Sequence, residues 1–287
     1  MARTLEPYQL VERSIITKYR KVLWNPFIEA VKRYEMIQPG DRIAVCISGG
    51  KDSMLLAKLM QQLQKHSDFP FELVFLVMDP GYNELNRQKI ESNAALLNIP
   101  VTIFESDIFE VADSAGKSPC YLCARMRRGY LYSRAQELGC SKIALGHHFN
   151  DVVETTLISM FYGSQLQAML PKLHSTNFEG MTLIRPLYCV HEDDIIAWAR
   201  DNSLEFIQCA CRLTERSAAD TGDVNVSKRK EIKLLLRRLR QGNPNIEKSI
   251  FNSIHAVVLD TMPGFKTGGV EHSFLERFNA MESTEDE

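Results

Sequence analysis

The residues best suited to chemistry form a short polar segment that directly follows an apolar run in the first third of the chain. Small residues there let backbone N–H groups converge on an anion, and a helix that starts near Ser53 adds its positive N-terminal end. A lysine can neutralise charge on the phosphates. The segment therefore predicts a phosphate-binding loop in which Lys51 and Asp52 are also candidate catalytic residues. Its members are Ser48, Gly49, Gly50, Lys51, Asp52 and Ser53.

The order of residues in this loop disfavours the common kinase and GTPase chemistry. A Walker A loop needs Gly-x-x-x-x-Gly-Lys-Ser/Thr, whereas Asp52 follows Lys51 here. The segment instead resembles the PP-loop of ATP pyrophosphatases, and this resemblance implies cleavage between the α- and β-phosphates of ATP and adenylation of a substrate oxygen. A glycine-rich turn after a strand, with no nucleotide, is the alternative.

Three further residues follow apolar runs that read as strands. They are Asp79, Gly146 and Asp151. Because the carboxyl ends of parallel strands share one edge of a sheet, we expect all three near the loop and assign Asp79 and Gly146 to ATP binding. Asp151 is a third candidate catalytic residue, since either carboxylate could hold Mg²⁺ on the phosphates or position a reacting group. For Asp79, a carboxylate that stabilises the turn after its strand is the alternative.

Two pairs of cysteines suggest metal or sulfur chemistry. Cys120 and Cys123 stand at the start of a helical pattern with arginines behind them, and Cys209 and Cys211 follow about 85 residues later. Four thiolates would form a closed tetrahedral zinc site, whereas three would leave one iron of a 4Fe-4S cluster free to carry sulfur. The spacing leaves these options open, together with a redox dithiol.

The remaining three cysteines have no partner at a ligand spacing. Cys46 lies inside the first apolar run, and Cys140 and Cys189 are isolated near strand ends. We therefore expect all three to be small core residues.

The elements that must position these residues alternate between short apolar runs and helix-length segments from residue 41 onward. This alternation is typical of βαβ units and predicts an α/β fold with a doubly wound, mostly parallel sheet. The strands are expected at Arg42–Ile47, Phe71–Met78, Val101–Phe104, Lys142–Leu145 and Thr182–Ile184. The helices between and after them are expected at Met54–Leu63, Glu84–Leu97, Arg127–Leu138, Val152–Phe161 and Asp193–Ala199.

The pattern divides the chain into four parts. We expect an N-terminal helical extension over 1–40, an ATP-binding core over 41–205, a cysteine-bearing and basic helical region over 206–281, and an acidic tail over 282–287. In the third part, Asn243-Pro244 reads as the N-cap and first residue of a helix over Ile246–Val258.

Composition limits the partners of the chain. The 34 Lys and Arg residues against 36 Asp and Glu residues leave a net charge of −2, so any contact with RNA depends on local patches. The chain shows no secretory signal and no apolar stretch of membrane-spanning length, which predicts a cytoplasmic protein.

Several motifs together resemble one known family, the tRNA-cytidine 2-sulfurtransferases. Besides the loop and the first cysteine pair, these are Arg127-Arg128-Gly129, Leu145-Gly146-His147-His148-Phe149-Asn150-Asp151, Met160-Phe161-Tyr162-Gly163 and Ile184-Arg185-Pro186-Leu187. The resemblance extends from about residue 15 to about residue 260.

The resemblance implies a core like that of the adenine nucleotide α-hydrolases, with ATP, Mg²⁺ and a 4Fe-4S cluster on three cysteines. It also implies thiolation of a cytidine at position 32 in the tRNA anticodon loop, a sulfur donor such as a cysteine desulfurase, and a homodimer. The base oxygen would be adenylated and then replaced by sulfur, because an amide-like oxygen leaves readily only as a phosphoester.

Two departures from the family pattern affect the site. The family has Pro-Cys-x-x-Cys where this chain has Gln208-Cys209-Ala210-Cys211, so Cys211 is preferred as third ligand and Cys209 is the alternative. Many PP-loop relatives have two aspartates after Gly-His-His, whereas Asn150 and Asp151 stand here.

An anticodon loop also needs cations that neutralise its phosphates. The basic residues assigned to RNA binding are Arg127, Arg128, Lys228, Arg229, Arg237 and Arg238. Lys18, Arg20, Lys21, Arg125, Lys230 and Arg240 are further candidates, and for any one of these cations a solvated helix face is the alternative.

Two other functions fit the same residues. One is a PP-loop enzyme that thiolates uridine. A PP-loop enzyme that attaches an amine is disfavoured by the cysteine pairs, because that reaction needs no sulfur carrier. The other is a zinc-stabilised protein that binds RNA and ATP without turnover.

Overall fold

The structure is a computed structural model that describes residues 5–106, 108, 119–207 and 224–285. It divides into two compact units, Met1–Leu235 and Leu236–Glu287. Among the described residues, no helix combines the length and the apolar character needed to cross a membrane.

The first unit is built around a six-stranded sheet with the strand order β3-β2-β1-β4-β6-β5. Only β5 runs antiparallel to its neighbour. The strands are β1 Arg42–Ile47, β2 Glu72–Asp79, β3 Val101–Glu105, β4 Lys142–Ala144, β5 Lys172–His174 and β6 Thr182–Ile184.

Helices connect the parallel strands and cover the sheet. In chain order they are α1 Pro7–Ile16, a π-helical turn Arg20–Trp24, α2 Asn25–Arg33, α3 Lys51–His66, α4 Glu84–Leu96, α5 Pro119–Glu137, α6 Phe149–Gly163, α7 Glu192–Asp201 and α8 Val224–Gly242. The last of these helices ends within the second unit.

The central strands explain why the sequence shows continuous apolar runs. In β1 every residue after Arg42 is buried, as expected for a parallel strand covered on both faces. In its register Val45 pairs with Phe75 of β2 and with Ala144 of β4. Helix α3, in which Leu55 is fully buried, packs against β1 and β2, and this packing holds the start of the helix at the end of β1.

The strand order creates a crevice at one edge of the sheet. From β1 the chain moves outward through β2 to β3, then crosses to the other side of β1 to form β4. The loops that leave β1 and β4 therefore diverge, and open α/β sheets bind ligands at such a switch point. Ser48–Gly50 leave β1 there, and Leu145–Gly146 leave β4.

The predicted fold class is confirmed, and all five predicted strands are present. The predicted helices are also present, and three of them are longer at both ends, because their polar end turns carry no periodic signal. The helix predicted over Glu84–Leu97 ends at Leu96, and the one predicted over Arg127–Leu138 spans Pro119–Glu137. The edge strand Lys172–His174 was missed, because it has a single apolar residue, Leu173, between two polar ones and therefore shows no apolar run.

The second unit contains α9 Ile246–Ser253, a hairpin of β7 Gly264–Thr267 and β8 Val270–Ser273, and α10 Phe274–Glu285. The predicted cap at Asn243 is wrong, because the N-cap of α9 is Asn245. The side-chain oxygen of Asn243 instead accepts from the backbone N–H of Asn245 at 3.0 Å, which makes Asn243-Pro244 part of a turn. Helix α9 also ends at Ser253 rather than Val258, and α10 extends into the acidic segment after residue 281.

Candidate active site

The loop after β1 is closed by two serine hydroxyls. Ser53 Oγ donates to the carbonyl of Gly50 at 2.9 Å and accepts from the backbone N–H of Ser48 at 3.1 Å. Helix α3 begins at Lys51 with Gly50 as its N-cap. The positive end of α3 therefore faces the crevice directly, as an anion site requires.

At two positions in and beside the loop, neighbouring atoms lie so close to the backbone that only glycine fits without a shift. Gly49 has φ +83°, and a Cβ there would lie 2.6 Å from side-chain atoms of both Ile90 and Ile207. A Cβ on Gly146 would lie 3.2 Å from the backbone of Asp52 and Ser53. The end of β4 thus packs directly on the first turn of α3 and places Gly146 beside the loop, whereas its assignment to ATP binding stays a prediction.

Lys51 lies between two carboxylates. Its Nζ is 3.2 Å from Asp52 and 3.0 Å from Oε1 of Glu192. No motif singles out Glu192, because Glu192-Asp193-Asp194 reads as an acidic first turn that complements a helix dipole. Only the fold brings the start of α7 to the phosphate loop.

Asn150 helps to hold Glu192 in this position. Its Oδ1 accepts from the backbone N–H of Glu192 at 2.9 Å, and its side chain is buried. The residue that departs from the family pattern therefore has a defined structural role here, which is to fix the first turn of α7 against α6.

Asp151 and His148 form a capping box at the start of α6. The backbone N–H of His148 donates to Asp151 Oδ2 at 3.1 Å. The Nε2 atom of His148 lies 3.5 Å from Asp151 Oδ2, and 3.9 Å from carboxylate oxygens of both Asp52 and Glu192. A buried imidazole thus lies among three carboxylates beside the phosphate loop.

Two cations of α8 face the same carboxylates. Arg229 lies 3.7 Å from Asp151 and 3.6 Å from Glu154. Lys233 lies 3.6 Å from Glu154 and 3.2 Å from Oε2 of Glu192. Glu192 therefore joins a cation of the loop to a cation of the basic helix, and Arg229, expected at RNA, is paired with a predicted catalytic carboxylate.

Burial and charge shift the protonation of this cluster. Burial would raise the pKa of Glu192, but the Lys51 ammonium outweighs it and lowers that pKa to about 2. Burial would likewise lower the pKa of Lys51, yet Asp52 and Glu192 raise it above its usual value. Both members of the pair are therefore charged at neutral pH.

Two groups nearby shift toward their neutral forms. Burial raises the pKa of Glu154 to about 7, against the opposing effect of Lys233 and Arg229. Burial, followed by the charge of Arg185, lowers the pKa of His147 to about 4, so this imidazole is neutral at pH 7.

The raised pKa of Glu154 predicts a specific pH dependence of stability. A carboxyl group whose folded pKa exceeds its unfolded value loses its stabilising contribution as pH rises from about 4.5 to about 7. Between pH 5 and pH 8 the free energy of unfolding of the wild type should therefore fall by roughly 3 kcal/mol more than that of Glu154→Gln. Urea unfolding at both pH values measures this, with the exposed Glu72→Gln as control. An unchanged pH dependence in Glu154→Gln would contradict the assignment.

Two cavities flank the loop. One of about 1130 Å³ is lined by Ser48, Asp52, Ser53, Gly146, His147, Asp151, Arg127, Arg128 and Arg185, among others. The other, of about 740 Å³, is lined by Lys51, Glu192, Phe206 and Ile207, among others. The first exceeds the 300–1,000 Å³ that is typical for one small ligand. It therefore has room for a nucleotide together with part of a second substrate.

Asp79 is engaged in its own turn. It accepts from the backbone N–H groups of Gly81 at 2.9 Å and Tyr82 at 2.7 Å, and Arg87 donates to its other oxygen at 3.0 Å. This arrangement corresponds to the alternative of a turn-stabilising carboxylate, and the assignment of Asp79 to ATP binding stays a prediction.

The side chains of three cysteines, those expected to be core residues, are described. Cys46 and Cys140 are buried and Cys189 is partly buried, and all three are free thiols. Cys120 and Cys123 occupy the first turn of α5. Cys209 and Cys211 lie outside the described residues. Within the ranges that the structure describes, no group of three or more His, Cys, Asp or Glu residues is arranged to hold a metal ion.

Comparison with known proteins identifies the family. A model of the PP-loop domain family, ATP_bind_3, matches residues 17–214. The tRNA-cytidine(32) 2-sulfurtransferase of Geobacter sulfurreducens is 37% identical over 240 residues, which cover 83% of this chain and 90% of that protein. The corresponding enzyme of Neisseria meningitidis serogroup C is 42% identical over 198 residues, 67% of this chain and 61% of that protein.

A solved structure has the same fold. The U34-tRNA thiolase NcsA from Methanococcus maripaludis, solved with its 4Fe-4S cluster, superposes with a TM-score of 0.64 at 19% identity, covering 84% of this chain and 80% of that one. This likeness supports the fold, and the sequence matches carry the family. With its PP-loop geometry and relatives of this identity and coverage, the chain belongs to the tRNA-cytidine(32) 2-sulfurtransferase family.

Proposed function

We propose that this protein is an enzyme that uses ATP to thiolate tRNA, converting the cytidine at position 32 to 2-thiocytidine. The observation that carries the proposal is the PP-loop, whose Ser48, Asp52 and Ser53 line a cavity with room for a nucleotide and part of a second substrate, while Lys51 stands at the adjoining helix start. The family to which the chain belongs acts on this base, as the names of its members state.

In the proposed mechanism the loop binds the phosphates of ATP. Backbone N–H groups of the loop and the start of α3 hold the anion, and Lys51 directs one N–H donor to the phosphates while Glu192 holds another. The base oxygen attacks the α-phosphate, pyrophosphate leaves, and sulfur then displaces AMP. Asp52 and Asp151 border the cavity where this occurs.

Two cofactors belong to the proposal. Mg²⁺ would be held by the carboxylates of Asp52 and Asp151, since hard cations prefer oxygen ligands. A 4Fe-4S cluster would be held by Cys120, Cys123 and a third cysteine, Cys211 or Cys209. The two positions in α5 fit because residues three apart in a helix lie on one face. When bound, such a cluster would carry the sulfur that is transferred.

The proposal extends to partners. The tRNA would be held by local cations, of which Arg127 and Arg128 line the large cavity and Lys228 and Arg229 lie on α8. Arg237 and Arg238 lie further along the same helix, in the second unit. A sulfur donor such as a cysteine desulfurase, a cytoplasmic location and a homodimer complete the proposal.

Nucleoside mass spectrometry of tRNA from cells that lack this protein tests the function. We expect 2-thiocytidine to disappear, and to return with the wild type but not with Asp52→Ala or Cys120→Ala. Loss of a 2-thiouridine instead would favour the uridine alternative, and unchanged 2-thiocytidine would exclude the proposed substrate. Anaerobically purified protein should be brown from its cluster, whereas colourless, zinc-loaded and active protein would exclude the cluster.

The structure adds a prediction for Glu192. Replacing Glu192 by glutamine keeps the shape of the side chain but removes the charge that orients Lys51, so we expect the rate of AMP formation to fall about tenfold. Asp193→Asn, in the same turn of α7 but exposed, is the matched control. Rates of both variants at saturating ATP check this, and equal rates would show that Glu192 does not position Lys51.

A further inference from the structure

Helix α6 ends in aromatic side chains that the site described above does not use. Phe161 is 54% exposed and Tyr162 is 38% exposed, and both lie in the last turn of the helix. Large exposed apolar groups that occur together usually mark a binding surface. The position of these rings relative to the proposed active site indicates what they bind.

The rings are accompanied by a cation. Lys228 Nζ lies 4.9 Å from the centroid of the Tyr162 ring. The Tyr162 hydroxyl donates to Glu231, which lies on α8 with Lys228. Half-buried Lys228 beside the Tyr162 ring, with exposed Phe161 as the preceding residue of the same helical turn, matches the two needs of unpaired RNA. These needs are neutralised phosphates and flat surfaces on which bases stack.

The same place is connected to the active site in two ways. Arg229, the residue after Lys228, lies 3.7 Å from Asp151. The chain that follows α6 also leads into the large cavity, because Met169 lines it and the carbonyl of Leu170 accepts from Arg185, another lining residue. Along α6 the ten residues from Asp151 to Phe161 span about 15 Å.

We infer that Phe161, Tyr162 and Lys228 form a stacking surface for unpaired tRNA bases next to the target nucleotide. The inference rests on the proposed function for the identity of the RNA. A base that enters the cavity leaves its neighbours without a stacking partner, and extrusion from the stack is costly. The Phe161 ring replaces the lost contact, while Lys228 neutralises a phosphate of the same strand.

Binding of an anticodon stem-loop with cytidine at the target position tests the surface. Its affinity is measured by fluorescence anisotropy over a range of salt concentrations, without ATP. Phe161→Ala should weaken binding about 5- to 150-fold with no change in the salt dependence. Lys228→Met should instead make the slope of log affinity against log salt less negative by about one, since one phosphate contact is lost.

Two matched variants separate stacking from other effects. Phe161→Trp retains a ring and should bind the stem-loop as the wild type does, which also excludes misfolding as the cause of a loss. Phe278→Ala removes a phenylalanine that is equally exposed, at 54%, on α10 of the second unit, and should leave the affinity unchanged.

Three outcomes would overturn the inference. Wild-type affinity in Phe161→Ala is the first, and equal loss in Phe161→Ala and Phe278→Ala is the second. The third is that Phe161→Ala keeps the RNA affinity of the wild type but changes from oligomer to monomer in light scattering. This result would assign the rings to contact with a second copy of the chain. Because binding is measured without turnover, failure of the thiolation proposal is detected separately, by nucleoside analysis.

Discussion

Replacing Lys51 by methionine should lower the rate of AMP formation by about 10²- to 10³-fold, the effect expected when a preorganised charged donor is lost from an active site. The side chain lies between the carboxylates of Asp52 and Glu192. Its removal takes a positive charge from the phosphates and also leaves two negative charges facing them. The loss should therefore exceed that of a single hydrogen bond.

The measurement is pyrophosphate release with the tRNA substrate at saturating ATP. Lys65→Met is the matched control, because Lys65 lies on the same helix and pairs with Glu12 at 2.9 Å, but is 50% exposed. The double variant Lys51→Met and Glu192→Gln should lose less than the two single losses added together, since Glu192 acts through Lys51. A Lys51→Met rate within threefold of the wild type would exclude Lys51 from the chemistry.

Gly49→Ala should both destabilise the protein and abolish detectable ATP binding. An alanine at φ +83° costs about 1–2 kcal/mol. The new Cβ would also lie 2.6 Å from Ile90 and Ile207, and overpacking of this kind costs roughly a further 1–3 kcal/mol. Relief of the contact must move the loop, whose N–H groups are proposed to hold the phosphates.

Gly40→Ala is a close control for this substitution. Gly40 has φ +81°, nearly the same as Gly49, but nothing lies within 4 Å of a Cβ at that position. Urea unfolding of both variants therefore separates the cost of the backbone conformation from the cost of the clash, and calorimetric titration with ATP measures the functional loss. Equal unfolding free energies and intact ATP binding in Gly49→Ala would show that the loop tolerates a side chain.

The charge cluster shows how a chain with almost no net charge separates its charges locally. Glu192 contacts a cation of the loop and a cation of α8, while Arg229 contacts Asp151. Cations assigned to RNA from the basic pattern of α8 are thus divided. Arg229 faces the carboxylates, together with Lys233, which was not assigned to RNA, whereas Lys228 lies beside an exposed tyrosine.

Much of the framework follows from local sequence. Continuous apolar runs such as Arg42–Ile47 predicted the parallel strands, because such strands are buried on both faces. The phosphate-binding loop after β1 was predictable from six consecutive residues, because such a loop requires only small residues, a lysine and the start of a helix, all of which are local. The edge strand Lys172–His174 and the turn at Asn243 were beyond such reasoning. The strand has no apolar run, and the turn depends on a side-chain hydrogen bond.

The family likewise follows from motifs in the sequence, and the comparisons confirm it. What only the tertiary structure decided is which charged groups meet at the loop. Glu192, Glu154 and Lys233 are separated from Lys51 by more than a hundred residues, and each reads alone as part of a helix surface. The crossover of the chain between β1 and β4 brings α6, α7 and α8 to one edge of the sheet, and no local pattern encodes that contact.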